Sequence, residues 1–113
     1  MSTSESARVR YMRLIVFFDL PVETVADRKN YRVFRKYLVK EGYLMLQESV
    51  YSKLVMTDAS AAFEIGKLTK NKPPKGLVQV LRVTEKQFEM MVLIAGEEIS
   101  HDELDTTEEF VVI

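Results

Sequence analysis

The segment Tyr11–Phe18 constrains the fold of this chain more than any other part of the sequence. Its second half, Leu14–Phe18, is an uninterrupted run of apolar residues that ends in two aromatic side chains. A short β-branched and aromatic run of this kind is typical of a strand that is covered on both faces of a sheet. The sequence Asp19-Leu-Pro21 stops it. We therefore predict a central strand that ends at about Asp19.

A helix is predicted to follow this strand. Thr24 and, three residues later, Asp27 form a capping-box-like start. The Thr24 hydroxyl accepts a hydrogen bond from a free backbone N–H, and the Asp27 carboxylate is stabilised at the positive end of the helix dipole. Gly42 is the expected residue just beyond the end of the helix. The apolar residues with helical spacing, which we expect to face the core, are Tyr31, Phe34, Tyr37 and Leu38.

Three more strands and a second helix are predicted in the middle of the chain. Tyr43–Met56 is too long for one ordinary strand and indicates two strands joined by a tight turn or bulge near Glu48–Tyr51. Asp58 is expected to cap a helix that runs to about Lys70, and Leu77–Val83 is the next strand. The predicted apolar stripe of this second helix is Ala62, Phe63, Ile65 and Leu68.

The order strand, helix, strand, strand, helix, strand predicts an α+β fold, namely a ferredoxin-like βαββαβ sandwich. Thr84 and Gln87 suggest a short capped helix after it, and Met91–Ala95 and Phe110–Ile113 suggest two extra β segments. We expect Phe110–Ile113 to pair with a sheet edge, across a dimer or on a partner. The predicted organisation is a disordered leader over 1–8, one domain over 9–95 and an acidic arm over 96–113.

The charge of the chain is strongly asymmetric, although its formal net charge is −1. Residues 1–84 carry 15 basic and 8 acidic side chains, a net charge of +7, and residues 85–113 carry 1 basic and 9 acidic side chains, a net charge of −8. A basic body of this kind can bind a phosphate backbone. The acidic end is better suited to contact protein or to shield the chain itself.

Several classes of protein are excluded by composition. The chain has no Cys, which excludes a disulfide framework, a thiolate metal site and a cysteine nucleophile, and a reducing cytoplasm fits this. Its four glycines form no phosphate-binding loop. The longest apolar runs, Leu14–Phe18 and Met90–Ala95, are far shorter than the ~20 residues that span a bilayer, so we expect no membrane association.

Asp19 is the strongest candidate for chemistry. A carboxylate at the end of a strand can hold Mg²⁺, which needs one or two protein carboxylates in addition to substrate phosphates. The alternative is an ordinary turn residue, because Asp is common before a turn. One carboxylate per chain is little for a metal site, so the metal hypothesis requires a two-fold axis that brings Asp19 of two subunits together.

The first helix is also a candidate surface for nucleic acid. Its cations can attract a phosphate backbone through counterion release, independently of base sequence. The alternative is that they form the solvated face that any surface helix has. Lys67 and Lys70 of the second helix continue the positive charge. The predicted nucleic-acid-binding residues are Arg28, Lys29, Arg32, Arg35, Lys36, Lys72 and Lys75.

His101 is the only histidine, and it lies in the acidic arm. We interpret it as a solvent-exposed residue and not as a metal ligand. Ser100, His101 and Asp102 are neighbours in the sequence and cannot converge as the side chains of a catalytic triad do.

Five segments resemble a known family, the small CRISPR adaptation subunit called CRISPR-associated protein two. They run in the family's order from about Val9 to Ala95, and the last two are similar to the version found in type II-A systems. The segments are Met12–Pro21, Phe34–Gly42, Gln47–Leu54, Asn71–Gly76 and Val83–Phe88.

The resemblance implies a ferredoxin-like homodimer that bridges two dimers of the integrase subunit, CRISPR-associated protein one, and binds the double-stranded DNA prespacer during spacer acquisition. It also implies a Mg²⁺-dependent endonuclease, in which Asp19 matches the family's strand-end aspartate and faces its copy across the dimer. Tyr51 stands where the family has an aromatic residue, often Phe.

One position departs from the family pattern. Many of the family's nucleases have an Arg where this chain has Met45, so one cation that would stabilise phosphoryl-transfer charge is missing. A different class of function is a small-molecule regulatory module of the ACT type, because ferredoxin-like dimers also bind effectors. The absence of a Gly-rich ligand loop argues against that alternative.

Overall fold

The computed structural model describes residues 11–97. This part of the chain folds into four strands and three helices. The elements, in chain order, are β1 (Met12–Asp19), α1 (Val25–Lys40), β2 (Leu44–Gln47), β3 (Val50–Val55), α2 (Asp58–Lys70), β4 (Leu77–Thr84) and α3 (Glu85–Glu89).

Strand β1 lies at the centre of the sheet, as its apolar sequence predicts. The strand order is β2-β3-β1-β4, and β1 pairs antiparallel with both β3 and β4. At the middle of the strand, Val16 lies opposite Tyr51 on one side and Val80 on the other. The four-stranded antiparallel sheet with its βαββαβ order is the predicted ferredoxin-like α+β fold.

The main core lies between the sheet and the helices. Phe18 of β1 packs its ring edge-on against Phe34 of α1, with centroids 5.2 Å apart, and also contacts Tyr31 and Tyr51. Edge-to-face pairs of this kind add to the apolar area that is buried. The buried members of this cluster are Val16, Phe18, Leu20, Phe34, Leu38, Tyr43, Tyr51 and Leu68.

The predicted limits of α1 are confirmed. Thr24 is the N-cap residue: its hydroxyl accepts from the backbone N–H of Asp27 at 2.9 Å, and the Asp27 carboxylate accepts from the backbone N–H of Thr24 at 3.2 Å. The bond from the Thr24 backbone N–H is the main cause that lowers the pKa of the Asp27 carboxyl group. Gly42 has a φ of +93°, a left-handed conformation that Gly adopts without a steric penalty.

Helix α2 begins one residue earlier than predicted and buries a different face. Thr57, not Asp58, is the N-cap, because its backbone is extended and its hydroxyl accepts from the N–H of Ser60. Of the predicted apolar stripe, Leu68 is buried, whereas the other three residues are exposed and Phe63 keeps 65% of its surface accessible. The residues that α2 buries are Ala61, Glu64 and Leu68.

A charged residue, Glu64, takes the place of the expected apolar contact because it has polar partners on β3 and just before β2. Its carboxylate accepts from Lys53 Nζ at 2.9 Å and from the hydroxyl of Tyr43 at 3.3 Å. Lys53 Nζ also donates to the backbone carbonyl of Glu41 at 2.7 Å, just beyond α1. Burial, followed by the negative charge of Glu64, raises the pKa of Tyr43. This network connects α2 and β3 to the segment between α1 and β2.

The other face of the sheet has no helix layer in residues 11–97. We call it the open face, and its exposed apolar side chains include Phe17, Leu54 and Leu81, of which Leu81 is 51% accessible. Helix α3 is held at one end of this face by Arg13, whose guanidinium bonds both carboxylate oxygens of Glu85. The open face is therefore apolar where β1 crosses it.

The C-terminal part of the fold differs from the prediction. The capping box of α3, with Thr84 and Gln87, is confirmed. Met91–Ala95 was predicted to be a strand, and this is wrong: these residues pair with no strand of the described chain. The leader, His101 and Phe110–Ile113 lie outside the described residues. None of the helices in 11–97 is long and apolar enough to cross a membrane.

We predict that Glu64→Ala destabilises the domain more than Phe63→Ala, although Phe is the more apolar residue. Removing the carboxylate leaves the Lys53 ammonium and the Tyr43 hydroxyl without their partner, at a cost of about 1–3 kcal/mol. Removing the exposed Phe63 ring costs less than about 1 kcal/mol. Urea unfolding of the two variants measures both losses. A larger loss for Phe63→Ala would mean that the hydropathy-based stripe is the buried one.

Candidate functional site

Asp19 is the last residue of β1 and lies at the edge of a surface cleft. It is exposed and pairs with Leu77, the first residue of β4, whereas its neighbours Phe18 and Leu20 are buried in the core. The backbone N–H of Phe18 also donates to the carbonyl of Ser49 in the β2–β3 turn, at 3.1 Å. These contacts hold the backbone on either side of Asp19 in place.

The cleft brings Asp19 together with the start of α1 and the β2–β3 turn. It has a volume of about 470 Å³ and is open to solvent. Two guanidinium groups, two carboxylates and two hydroxyls contribute to its wall. The lining residues are Asp19, Leu20, Val22, Arg28, Tyr31, Arg32, Glu48 and Ser49.

Two side chains of the cleft wall are oriented by hydrogen bonds to the backbone. Arg28 Nη1 donates to the carbonyls of Val22 and Glu23 at 3.0 and 3.1 Å, so this guanidinium is held against the loop before α1. The Tyr31 hydroxyl lies 3.4 Å from both the Glu48 carbonyl and the Ser49 hydroxyl. The bonds of Tyr31 connect α1 to the β2–β3 turn across the cleft.

The predicted nucleic-acid residues are divided between the cleft and the surface around it. Arg28 and Arg32 line the cleft with Asp19, but Lys29, Arg35 and Lys36 of α1 do not. The ion pairs of residues 11–97 use Arg13, Lys53, Lys67 and Arg82 as cations. Within that range, therefore, none of the predicted nucleic-acid residues has its charge neutralised by an adjacent carboxylate.

The loop before β4 closes against the backbone of Asp19. Gly76 has a φ of +98°, and a Cβ atom there would lie 2.8 Å from the Asp19 carbonyl oxygen and 2.6 Å from Leu20 Cδ2. No larger residue fits without a shift of the backbone. This approach also brings the charge of Lys75 close enough to α1 to contribute to the lowered pKa of Asp27. Lys75 therefore lies near the start of α1.

Two carboxylates of the cleft are suited to a hard cation. Asp19 and Glu48 are its acidic lining residues, although no group of three His, Cys, Asp or Glu side chains with metal-binding geometry occurs in residues 11–97. Mg²⁺ keeps most of its waters and takes one or two carboxylates plus phosphate oxygens, so this donor set fits it. Such a site is completed by a substrate phosphate and not by the chain alone.

Glu48, Ser49 and Tyr31 were not identified as site residues from the sequence. The antiparallel pairing of β1 with β3 puts the start of β3 next to the end of β1, with Phe17 opposite Val50. The turn before Val50 must therefore lie beside Asp19. The position of this turn can be predicted only when the pairing register of β1 and β3 is known, because it does not depend on residue type.

Two residues singled out from the sequence belong to the core. Met45 lies opposite Tyr51 and packs against the main cluster, so it adds no cation to the cleft. Tyr51 is fully buried, and burial raises its pKa. Its hydroxyl has no hydrogen-bond partner among the described residues. Tyr51 is therefore a packing residue of the main core.

Comparisons with known proteins identify the family of this chain. Residues 12–91 match the model of the family described as CRISPR associated protein Cas2. The chain is 54% identical to a CRISPR-associated endoribonuclease Cas2 of Treponema denticola, over 90% of this chain and 100% of that protein. A protein of the same name from Streptococcus mutans serotype c is 48% identical, over 76% of this chain and 79% of that protein.

A solved structure supports the fold. The structure described as "Crystal structure of cas2" superposes with a TM-score of 0.56 at 19% identity, and the match covers 80% of this chain and 92% of that one. At this identity the likeness concerns the fold alone. The family itself is established by the match over residues 12–91 and by the two relatives. This chain therefore belongs to the CRISPR-associated protein Cas2 family.

Proposed function

We propose that this chain acts as a dimeric nucleic-acid-binding subunit in CRISPR adaptation. In this role it bridges dimers of the integrase subunit and holds the double-stranded prespacer DNA while a new spacer is acquired. The observation that carries the proposal is the set of α1 cations that have no carboxylate partner within residues 11–97 and lie beside the Asp19 cleft. The chain has no Cys, and its proposed ligand is a nucleic acid. Both features favour the cytoplasm as its location.

The basic surface supports binding to a phosphate backbone. Arg28 and Arg32 are one turn apart on α1, and Lys75 approaches the start of the same helix from the β4 side. Guanidinium groups match phosphate geometry better than ammonium groups because they can donate two parallel hydrogen bonds. Contacts of this kind position a duplex without reading its bases. The bound nucleic acid is therefore selected by its shape and charge.

The cleft also supports phosphodiester hydrolysis. The relatives from Treponema denticola and Streptococcus mutans are named endoribonucleases, and we extend nuclease activity to this chain. Asp19, with Glu48 beside it, would hold Mg²⁺, which polarises a phosphoryl oxygen and lowers the pKa of a bound water. Arg28 and Arg32 orient the phosphate and stabilise its developing charge. The Ser49 hydroxyl can donate to a phosphate oxygen, whereas the Tyr31 hydroxyl donates to the Glu48 carbonyl and holds the β2–β3 turn in place.

A homodimer is supported by the apolar surface that one chain leaves exposed. The open face exposes Phe17, Leu54, Leu77 and Leu81, and Met90–Ile94 adds five more exposed apolar side chains in sequence. Contiguous apolar surface of this kind is typical of a protein interface. Packing two open faces together covers the second side of β1 and brings the strand-end Asp19 of each subunit towards the interface. The small-molecule regulatory module is disfavoured by the family to which the chain belongs.

We expect Leu81→Glu to convert the dimer to monomer. Leu81 is 51% accessible in one chain, so the charge costs little in the isolated fold but is buried unpaired between two open faces. Light scattering after size exclusion measures the mass of the species. Val33→Glu, at an exposed valine of α1, is the matched control and should leave the mass unchanged. A Leu81→Glu protein with the wild-type mass would exclude the open face as the interface.

We expect Asp19→Asn to lower Mg²⁺-dependent cleavage at least about 100-fold, because the amide cannot replace an ionised metal ligand. Cleavage of single-stranded RNA and of duplex DNA is followed in parallel, which also identifies the substrate. Asp58→Asn, at an exposed carboxylate on the first turn of α2, is the control and should keep full activity. Equal residual cleavage by wild type and Asp19→Asn would assign the activity to a contaminant.

Duplex binding is expected to weaken steeply with salt. If about four phosphates are neutralised, the dissociation constant should rise roughly 100-fold between about 50 and 200 mM salt. Arg32→Gln should weaken binding to all sequences and reduce the slope of log K against log[salt] by about one. Arg82→Gln, on β4, is the control for loss of one guanidinium elsewhere. Binding that does not change over this salt range would contradict the proposed DNA interface.

A further inference from the structure

Strand β3 extends beyond the strand that covers its outer side. The pairing of β2 with β3 ends at Leu44 opposite Ser52, whereas β3 continues to Val55. On its inner side β3 remains paired with β1 as far as Val55 opposite Met12. The outer backbone edge of residues 53–55 therefore has no strand beside it in the part of the chain that the structure describes. An unpaired edge of this kind is a template for an added strand.

A groove runs along this unpaired edge, between β3 and α2. It has a volume of about 440 Å³. Two large apolar side chains beside it are exposed, Met56 and Phe63. Phe63 is positioned by Lys67, whose ammonium lies 5.4 Å from the centre of its ring. The full lining is Lys53, Leu54, Val55, Met56, Ala59, Ser60, Phe63 and Glu64.

A groove between a strand edge and a helix fits one class of ligand, an extended apolar peptide. Such a peptide adds as a further strand, its backbone bonds the free edge and alternate side chains enter the groove, as in PDZ domains. The required segment is short, β-branched or aromatic, and apolar. Phe110-Val-Val-Ile113 at the end of this chain has these properties, and its four residues are enough to cover the three-residue edge.

We propose that Phe110–Ile113 docks on this groove of its own chain as an added strand next to β3. Met12 pairs with both Val55 and Thr84, so the chain leaves β4 at the same end of the sheet as the groove. The last described residue is Glu97, and twelve residues separate it from Phe110. A connection of that length reaches up to about 43 Å, more than the ~26 Å length of an eight-residue strand.

Charge also favours this occupant. Residues 97–109 contain seven acidic and no basic side chains, and the last turn of α2 beside the groove carries Lys70. Lys67 in the same turn is paired with Glu41. An acidic connection passing Lys70 is attracted to this end of the molecule, whereas it is a poor neighbour for bound nucleic acid. Docking in this groove therefore places the acidic C-terminal part of the chain, residues 85–113, away from the basic surface of α1.

Hydrogen exchange on the full-length protein tests this assignment. Val111→Pro removes a backbone donor from the docked strand and keeps it apolar, and Phe63→Asp puts a charge on the exposed groove wall. Amide exchange is measured by NMR at residues 53–56. We expect both variants to lower the protection of the amides on the outer edge at least about tenfold relative to wild type. Thr106→Pro and Val33→Asp are the matched controls and should exchange as wild type does.

Two outcomes would overturn the assignment. Equal amide exchange rates at residues 53–56 in wild type and Val111→Pro would mean that the segment does not occupy the groove. In a second experiment, isotope-labelled Val111→Pro protein is mixed with an excess of unlabelled wild type. If the segment docks on its own chain, residues 53–56 of the labelled protein stay unprotected. If their protection is restored, the segment docks on a second copy of the chain. Nucleic-acid binding is not expected to depend on Val111, so the result is independent of the proposed function.

Discussion

The structure depends on β1 having a hydrogen-bonded strand on each edge and apolar packing on each face. Its backbone bonds β3 on one side and β4 on the other, and its side chains are apolar towards both faces. The helices cover one face, where Leu14, Val16 and Phe18 are buried. The other face exposes Phe17, so the isolated chain leaves part of this requirement unmet. In the proposed dimer a second copy of the open face meets it, so the pattern of one strand bears on the proposed assembly.

Much of the fold could be predicted from the sequence because its limits are set by local chemistry. The Thr24–Asp27 capping box and Gly42 determine where α1 begins and ends whatever packs against it. The stripe of α2 could not be predicted in the same way. Glu64 is buried because Lys53 and Tyr43, which are distant in sequence, converge on it. Hydropathy assigns Glu to the surface and Phe63 to the core, and tertiary contacts reverse both.

The candidate site shows the same division. Asp19, Arg28 and Arg32 were found from residue type and position, because a strand end and a helix face are local features. Glu48, Ser49 and Tyr31 join them through the register of β3 on β1, a pairing between segments more than thirty residues apart. Met91–Ala95 was predicted as a strand from composition, yet in residues 11–97 it has no neighbouring strand to bond. Composition alone does not decide whether a β-prone segment forms a strand, because pairing depends on where the tertiary structure places that segment.

The contact of Gly76 with Asp19 has a consequence for the order of folding. The cleft wall is built from residues 19–49, but the backbone that carries Asp19 is closed off by a loop more than fifty residues later in the chain. Contacts of high sequence separation form late, because a long loop must be closed first. A chain emerging from the ribosome therefore has β1, α1, β2 and β3 before the carboxylate is fixed. The cleft is completed only when β4 joins the sheet, so a chain that stops before β4 carries the cleft residues without a finished site.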